Sequence, residues 1–251
     1  MSQDAASATE RAPEHPEGGA PRPSEHAERG ALPSSGQAEQ AAPRAPVRFD
    51  WPPDRWGQAL ILATAVTALR SKELVVLPTD TVYGLAAHPD FPEAIERVYV
   101  VKERPVEKAL PLLVTGAAQA ATVCKVSPVA ERLMERFWPG GLTLVLPTKR
   151  EPGTLALRMP DHPVALALIR ALGAPLATTS ANRSGQPSCT TADAVQTQLP
   201  TGYTLLIDAG ASPGGRDSTV LDLASSPPRV LRPGAIATAD LATIVGPLAE
   251  T

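Results

Sequence analysis

The sequence predicts an α/β domain built on a mixed β-sheet with flanking helices. Three observations lead there. From Arg55 onward, short apolar runs of strand length alternate with segments of helical apolar spacing. The last three strand-like runs are not each followed by a helix, which argues against a purely parallel sheet. Several runs also break off in small hydroxyl or basic residues, and ligand sites in open α/β sheets gather at strand ends.

In chain order, "RWGQALILATAVTALRSK" has helical spacing and "ELVVLP" is a short buried strand. "PEAIERVYVVKER" is a helix with Ile95 and Val98 on one face, and "LPLLV" is a strand. "SPVAERLMERFW" is a helix with Ser127 as N-cap and Pro128 at its first position. "WPGG" ends it and "LTLVLP" follows as a strand. "TLALRMP", "HPVALALIRALG" and "APLATTS" form a strand–helix–strand unit with Gly173 at the helix C-cap. "TLLIDAG", "STVLDLA" and "RVLRPG" are three further strands, and "ADLATIVG" is the last helix. Gly84, after "PTDTVY", is expected to let the chain turn sharply.

Residues 1–46 differ from the rest. They are rich in Ala, Pro, Glu, Gly and Ser and poor in large apolar side chains, so burial offsets little ordering entropy. They are expected to form a disordered tail, with the folded domain at 47–251. The tail lacks the apolar core of a signal peptide and carries more acids than a mitochondrial presequence. The 251 residues are 43% hydrophobic with a net charge of −3, which supports a real core and excludes a general polyanion binder. Two cysteines and four scattered histidines show no metal spacing, so no protein-held metal is expected. No apolar stretch is long enough for a membrane span. A reduced, cytoplasmic setting is expected.

The chemistry lies in "VVLP-TDT", "LALR-MP", "PLAT-TSAN-RSG", "RDST-VLD" and "VLR-PG". Hydroxyls and amides bind phosphate, carboxylate or ribose oxygens without adding charge. Arg104, Arg158 and Arg232 add bidentate cationic grips, and Lys102 and Lys108 add point charges. Together they predict a pocket for a small anionic ligand such as a nucleotide. Blander readings stand beside this. Thr79 and Thr81 can simply satisfy turn backbone, Arg158 can pair with Asp161 at the surface, Tyr83 can be core, and His162 can be a polar residue at a helix start. No phosphate-binding glycine loop is present.

Taken in order, "PTDTVYGL", "KERPVEKALPLLV", "WPGGLTLVL", "LRMPDHPVALALI", "TTSANRSGQPS", "DSTVLDL" and "VLRPG" resemble the YrdC-like family, the threonylcarbamoyl-AMP synthases. The match runs from about Gln58 to Ile236. The resemblance implies an open, twisted sheet with a basic cavity. It implies synthesis of threonylcarbamoyl-AMP and pyrophosphate from L-threonine, bicarbonate or CO2, and ATP with Mg²⁺. The product would pass to a separate transferase complex that modifies the adenosine beside the tRNA anticodon. Weak contact with tRNA itself is a further expectation.

Carried over motif by motif, Lys102 and Arg104 line the cavity as catalytic residues, with Arg104 on ATP phosphate. Thr81, Arg158, Thr178 and Ser218 contact L-threonine, with Arg158 on its carboxylate. Lys108, Thr154, Ser180, Asn182, Ser188 and Arg232 lie along the ATP. Two departures stand out: Thr179 replaces a proline of many relatives, and Thr115 lies near the place where some have a histidine. The chain is expected to be the single-domain form. Two rivals are weighed. An RNA-binding module is weakened by the net charge and by the lack of a basic aromatic face. A carbamoyltransferase carrying a YrdC-like domain is usually much longer.

Overall fold

A computed structural model describes residues 45–105, 109–149 and 152–249. The expected tail lies outside them apart from Ala45 and Pro46, as does Lys108. In order the elements are β1 (Val47–Asp50), α1 (Arg55–Arg70), β2 (Val75–Leu77), β3 (Gly84–Ala87), α2 (Pro92–Lys102), β4 (Leu112–Leu113), α3 (Ala117–Val123), α4 (Pro128–Phe137), β5 (Leu142–Pro147), β6 (Thr154–Arg158), α5 (Pro163–Leu172), β7 (Leu176–Ser180), α6 (Ala192–Gln198), β8 (Leu205–Asp208), β9 (Thr219–Asp222), β10 (Arg229–Arg232) and α7 (Thr238–Val245).

Among the described residues the ten strands form one sheet in the order β1-β8-β2-β3-β7-β4-β6-β5-β9-β10. It is mixed, as expected. β8 is parallel to β1 and β2, β4 to β6, and β5 to β9, while β2/β3, β3/β7, β4/β7, β5/β6 and β9/β10 are antiparallel.

Period-two alternation sorts the strand side chains onto two cores. Leu74, Val76, Leu85, Leu206 and Leu221 face one side, with Val98 of α2, Leu133 of α4, Val195 of α6 and Leu241 of α7. Val75, Leu77, Ala86, Leu205 and Ile207 face the other, with Ile61 and Leu69 of α1 and Leu168 and Leu172 of α5. Central strands buried on both faces explain the unbroken apolar run "LVVL". The expected caps form: Ser127 accepts from Ala130 N, and Gly173 closes α5 with φ 75°. His162 caps α5 by accepting from Val164 N, the bland reading of that residue.

Four elements escaped the sequence reading: β1, β3, α3 and α6. β3, "GLAA", lacks the β-branched and aromatic residues that mark strands. It becomes a strand because β2 and β7 pair with it on either side. The expected turn at Gly84 is therefore corrected. Gly84 opens β3, and a Cβ there would lie 2.6 Å from Thr178 Cγ2. Glycine is needed for space, not for a turn.

Candidate active site

α1 and α5 pack against one half of one sheet face. Over the other half, that same face carries polar side chains. Leu155 and Leu157 of β6 pack into the core below, so Thr154, Ala156 and Arg158 point to the opposite side. The same alternation places Thr143 opposite Leu142 and Leu144, and Thr178 and Ser180 on the side of Leu176. An open cleft of about 630 Å³ lies there, part of it continuous with solvent.

The strand-end expectation needs revision for this reason. β6 pairs in parallel with β4, which is antiparallel to β7. Arg158 therefore sits in register with Leu113 and Leu176, while Ser180 pairs with Gly84 at the far end of β7. Polar strand ends of opposite direction meet because the Thr79–Thr81 loop folds back over the sheet face. A second loop straps that one down: Gly214 N and Gly215 N each donate over 3.0 Å, to the carbonyls of Asp80 and Thr81.

Seven of the expected residues line the cleft: Thr81, Arg104, Arg158, Thr178, Ser180, Ser218 and Arg232. Arg158 is nearly buried and fully organised. Its Nε donates to Gly140 O (2.9 Å), Nη1 to Thr81 Oγ1 (2.8 Å) and Nη2 to Asp80 Oδ1 (2.5 Å). Its ion pair is with Asp80, not with Asp161 at the surface. Asp161 meets Asp80 only through its backbone N–H, at 3.0 Å. Burial lowers the Arg158 pKa, and Asp80 opposes that. A guanidinium carries five N–H groups, so two of Arg158's stay available to a ligand.

Arg232 donates through Nη2 to Ser218 O (2.8 Å) and Ser218 Oγ (3.1 Å), and its Nη1 lies 3.4 Å from Asp217. Arg104 is held by Ala109 O at 3.5 Å. Burial, and then the charge of Arg232, lower its pKa, with Tyr99 opposing.

Lys102 and Asn182 are buried and outside the lining, and the half-buried Ser188 is outside it too. Lys102 was expected to line the cavity; it is 2% exposed and does not. Its ammonium donates to the carbonyl of Ser180, to Asn182 O (2.6 Å) and to Asn182 Oδ1 (3.2 Å). Burial, and then Arg104, push its pKa down to about 8, while Cys189 and Asp217 pull the other way. Asn182 Nδ2 closes the loop onto Arg183 O (2.9 Å) and Gln186 O (2.6 Å). Ser188 donates to Asp217 at 3.0 Å. Thr154 is exposed and outside the lining, but on the same face of β6 as Arg158. At 3.3 Å per residue the two are about 13 Å apart, a span that suits an elongated ligand.

Thr79, Thr143, Thr179 and Asp217 also line the cleft; Thr79, Thr179 and Asp217 lie in the polar strand-end stretches, though the sequence reading assigns none of them a ligand role. Thr143 carried a signal, as a lone hydroxyl inside the apolar run "LTLVLP". Tyr83 is core, and it also borders the cleft. Its hydroxyl lies 2.6 Å from Gly210 O and 3.0 Å from Asp208 Oδ1, and Arg48 of β1 pairs with Asp208 at 2.5 Å. Among the described residues no cluster of carboxylate, His or Cys groups forms a metal site, and no helix is long and apolar enough to cross a membrane.

A mixed α/β sheet with arginines and hydroxyls around one open cleft has the chemistry to suit a small anionic ligand. Comparison with known proteins narrows that class. The family model Sua5_yciO_yrdC, described as "Telomere recombination", matches residues 67–234. A threonylcarbamoyl-AMP synthase of Bacillus subtilis is 41% identical over 197 residues, covering 74% of this chain and 57% of the relative. One from Pyrococcus abyssi is 38% identical over 187 residues, covering 71% of this chain and 55% of the relative. The crystal structure of P. abyssi Sua5 complexed with L-threonine superposes with a TM-score of 0.72 at 35% identity, covering 80% of this chain and 60% of that one. The chain belongs to the Sua5/YciO/YrdC family. It spans a little over half the length of these two curated relatives.

Proposed function

We propose that the protein is a threonylcarbamoyl-AMP synthase. The observation that carries this reading is the convergence of three arginines and the hydroxyls of Thr81, Thr178 and Ser218 in one cleft. Family membership and the relative that holds L-threonine support it.

The amino acid lies against Thr81, Arg158, Thr178 and Ser218, with its carboxylate on the two remaining Arg158 N–H groups. The triphosphate lies towards Arg104 and Arg232, and the nucleoside runs along the face that carries Ser180 and Thr154. The amine of L-threonine adds CO2 and loses a proton, giving a carbamate. A carbamate oxygen then attacks the α-phosphorus of ATP, and pyrophosphate leaves with the electrons of the broken P–O bond. This step needs positioning and charge neutralisation more than an acid–base pair. Lys102 acts at one remove: it fixes the Ser180–Asn182 backbone that forms the wall. Mg²⁺ would enter with ATP and neutralise phosphate charge, coordinated mainly by phosphates and water. Asp217 is the one carboxylate among the described lining residues. The product then serves a transferase that modifies tRNA.

An omission assay tests the proposal. Protein, ATP, Mg²⁺, L-threonine and bicarbonate are mixed, each is left out in turn, and pyrophosphate is followed. Release should require both L-threonine and bicarbonate, should need no RNA, and should fail with D-threonine. Release that ignores either substrate, or none in the full mixture, defeats the reading. Salt-sensitive RNA retention without pyrophosphate would mark a binding module instead.

A further inference from the structure

α1 carries no charged residue between Arg55 and Arg70. Its inner face is accounted for: Ile61, Ala65 and Leu69 are buried in the core shared with α5. Its outer face has no such explanation. A helix with one face in the core normally turns charged and polar residues to water. α4 does so with Glu131, Arg132, Glu135 and Arg136, all exposed. On α1 the outer positions hold Trp56, 88% exposed, and Leu60, 70% exposed, followed by exposed Ala63 and Thr67. Thr64 and Thr67 turn their hydroxyls onto their own helix, donating to Leu60 O (2.9 Å) and Ala63 O (2.8 Å). The face is therefore apolar over its whole length.

Its spacing is that of a helix–helix seam. Trp56, Leu60, Ala63, Thr67 and Arg70 follow one another in alternating steps of four and three residues, the repeat that keeps one stripe against a partner helix. The seam is also ordered by size. The large apolar residues come first, the small ones follow, and a cation closes the C-terminal end. A reversed copy of the same helix matches that order. With Ala63 on the twofold axis, Leu60 of each copy meets Thr67 of the other, and Trp56 meets Arg70. Small residues then cross where the two helices come closest. Arg70 Nη2 donates to Leu172 O at 3.2 Å, which anchors the guanidinium and leaves its flat face for the indole. A parallel copy would instead set Arg70 against Arg70, and would face small residues with small ones.

We infer that α1 is a self-association surface, on which a second copy of this chain docks its own α1 antiparallel about a twofold axis through Ala63. A twofold contact needs one patch that is complementary to itself, and this seam is. None of the residues that line the cleft belongs to α1. The surface is separate from the candidate active site, and the inference does not rest on the synthase reading.

The test is sedimentation equilibrium of the full chain over about 1–200 µM, because a seam of four helical turns is small for a protein interface. Wild-type protein should dimerise within that range. Leu60→Lys and Thr67→Glu each remove part of the seam and should each weaken the dimer about tenfold or more. Both positions are exposed, so both variants should fold, which circular dichroism checks. Combined in one chain, the two substitutions face each other across the antiparallel seam as opposite charges. The double variant should dimerise at least about threefold more tightly than either single one. In a parallel seam like charges would meet, and the double variant would be the weakest. Ala63→Glu, which sets two like charges at the axis, should leave monomer throughout. Wild-type protein that stays monomeric overturns the inference without need of any variant, whether another protein or residues 1–44 cover the seam. A dimer indifferent to Leu60→Lys, or a double variant no tighter than the single ones, overturns it as well.

Discussion

Asp80→Asn separates what holds the cleft together from what binds in it. Asp80 Oδ1 accepts from Arg158 Nη2 at 2.5 Å and from Asp161 N at 3.0 Å, and the two ion-pair side chains are 8% and 14% exposed. Asparagine can keep both hydrogen bonds through its carbonyl oxygen but brings no charge. Removing one partner of a buried ion pair costs about 3–5 kcal/mol. Unit charges 4 Å apart at an effective dielectric of 20 attract by about 4 kcal/mol. Because the hydrogen bonds persist, the expected loss of stability is nearer the lower figure, about 2–4 kcal/mol. At about 2–4 °C per kcal/mol for a chain of this size, the melting temperature should fall by roughly 5–15 °C. Ligand affinity should move the other way. Arg158 stays charged and loses its internal counter-ion, so L-threonine should bind as well as before or up to about tenfold tighter. Urea denaturation and calorimetric titration measure the two effects on one preparation. A stability loss below about 1 kcal/mol would mean that the pair is solvent-screened. An affinity loss beyond about tenfold would mean that Asp80 itself serves the ligand.

Three further outcomes are expected. Phosphate near Lys102 favours its ammonium over the neutral amine, which burial already populates above about pH 8. ATP binding should therefore take up protons near pH 8 and weaken as pH rises through it; titrations in two buffers of different ionisation enthalpy that agree would refute this. Gly84→Ala places a Cβ 2.6 Å from Thr178 Cγ2, so it should cost about 1–3 kcal/mol of stability and raise the KM for L-threonine more than that for ATP. Deleting residues 1–46, which precede β1, should leave pyrophosphate release within about tenfold of the full chain; a larger loss would give the segment a role in catalysis.

Local features were legible wherever a local cause sufficed. Ser127 and Pro128 start α4 and Gly173 ends α5 through contacts a few residues away. The unbroken apolar runs of β2 and β8 report burial on both faces without reference to any partner. The mixed sheet followed from counting helices between strands, and the three arginines followed from their motifs. What escaped depended on residues far apart in the chain. Strand formation in "GLAA" comes from the two neighbours it pairs with. Arg158 lies within three residues of Asp161 yet bonds Asp80, across 78 positions. Lys102 reads as a free cation but meets the Ser180–Asn182 carbonyls, so its charge is used inside the wall. The partner of Thr81 is not written in "PTDT" at all: Arg158, 77 positions away, donates to its hydroxyl. Hydrogen bonds have direction, and tertiary structure decides which donors and acceptors meet. Residue type alone therefore names the groups in this cleft but not which of them pair.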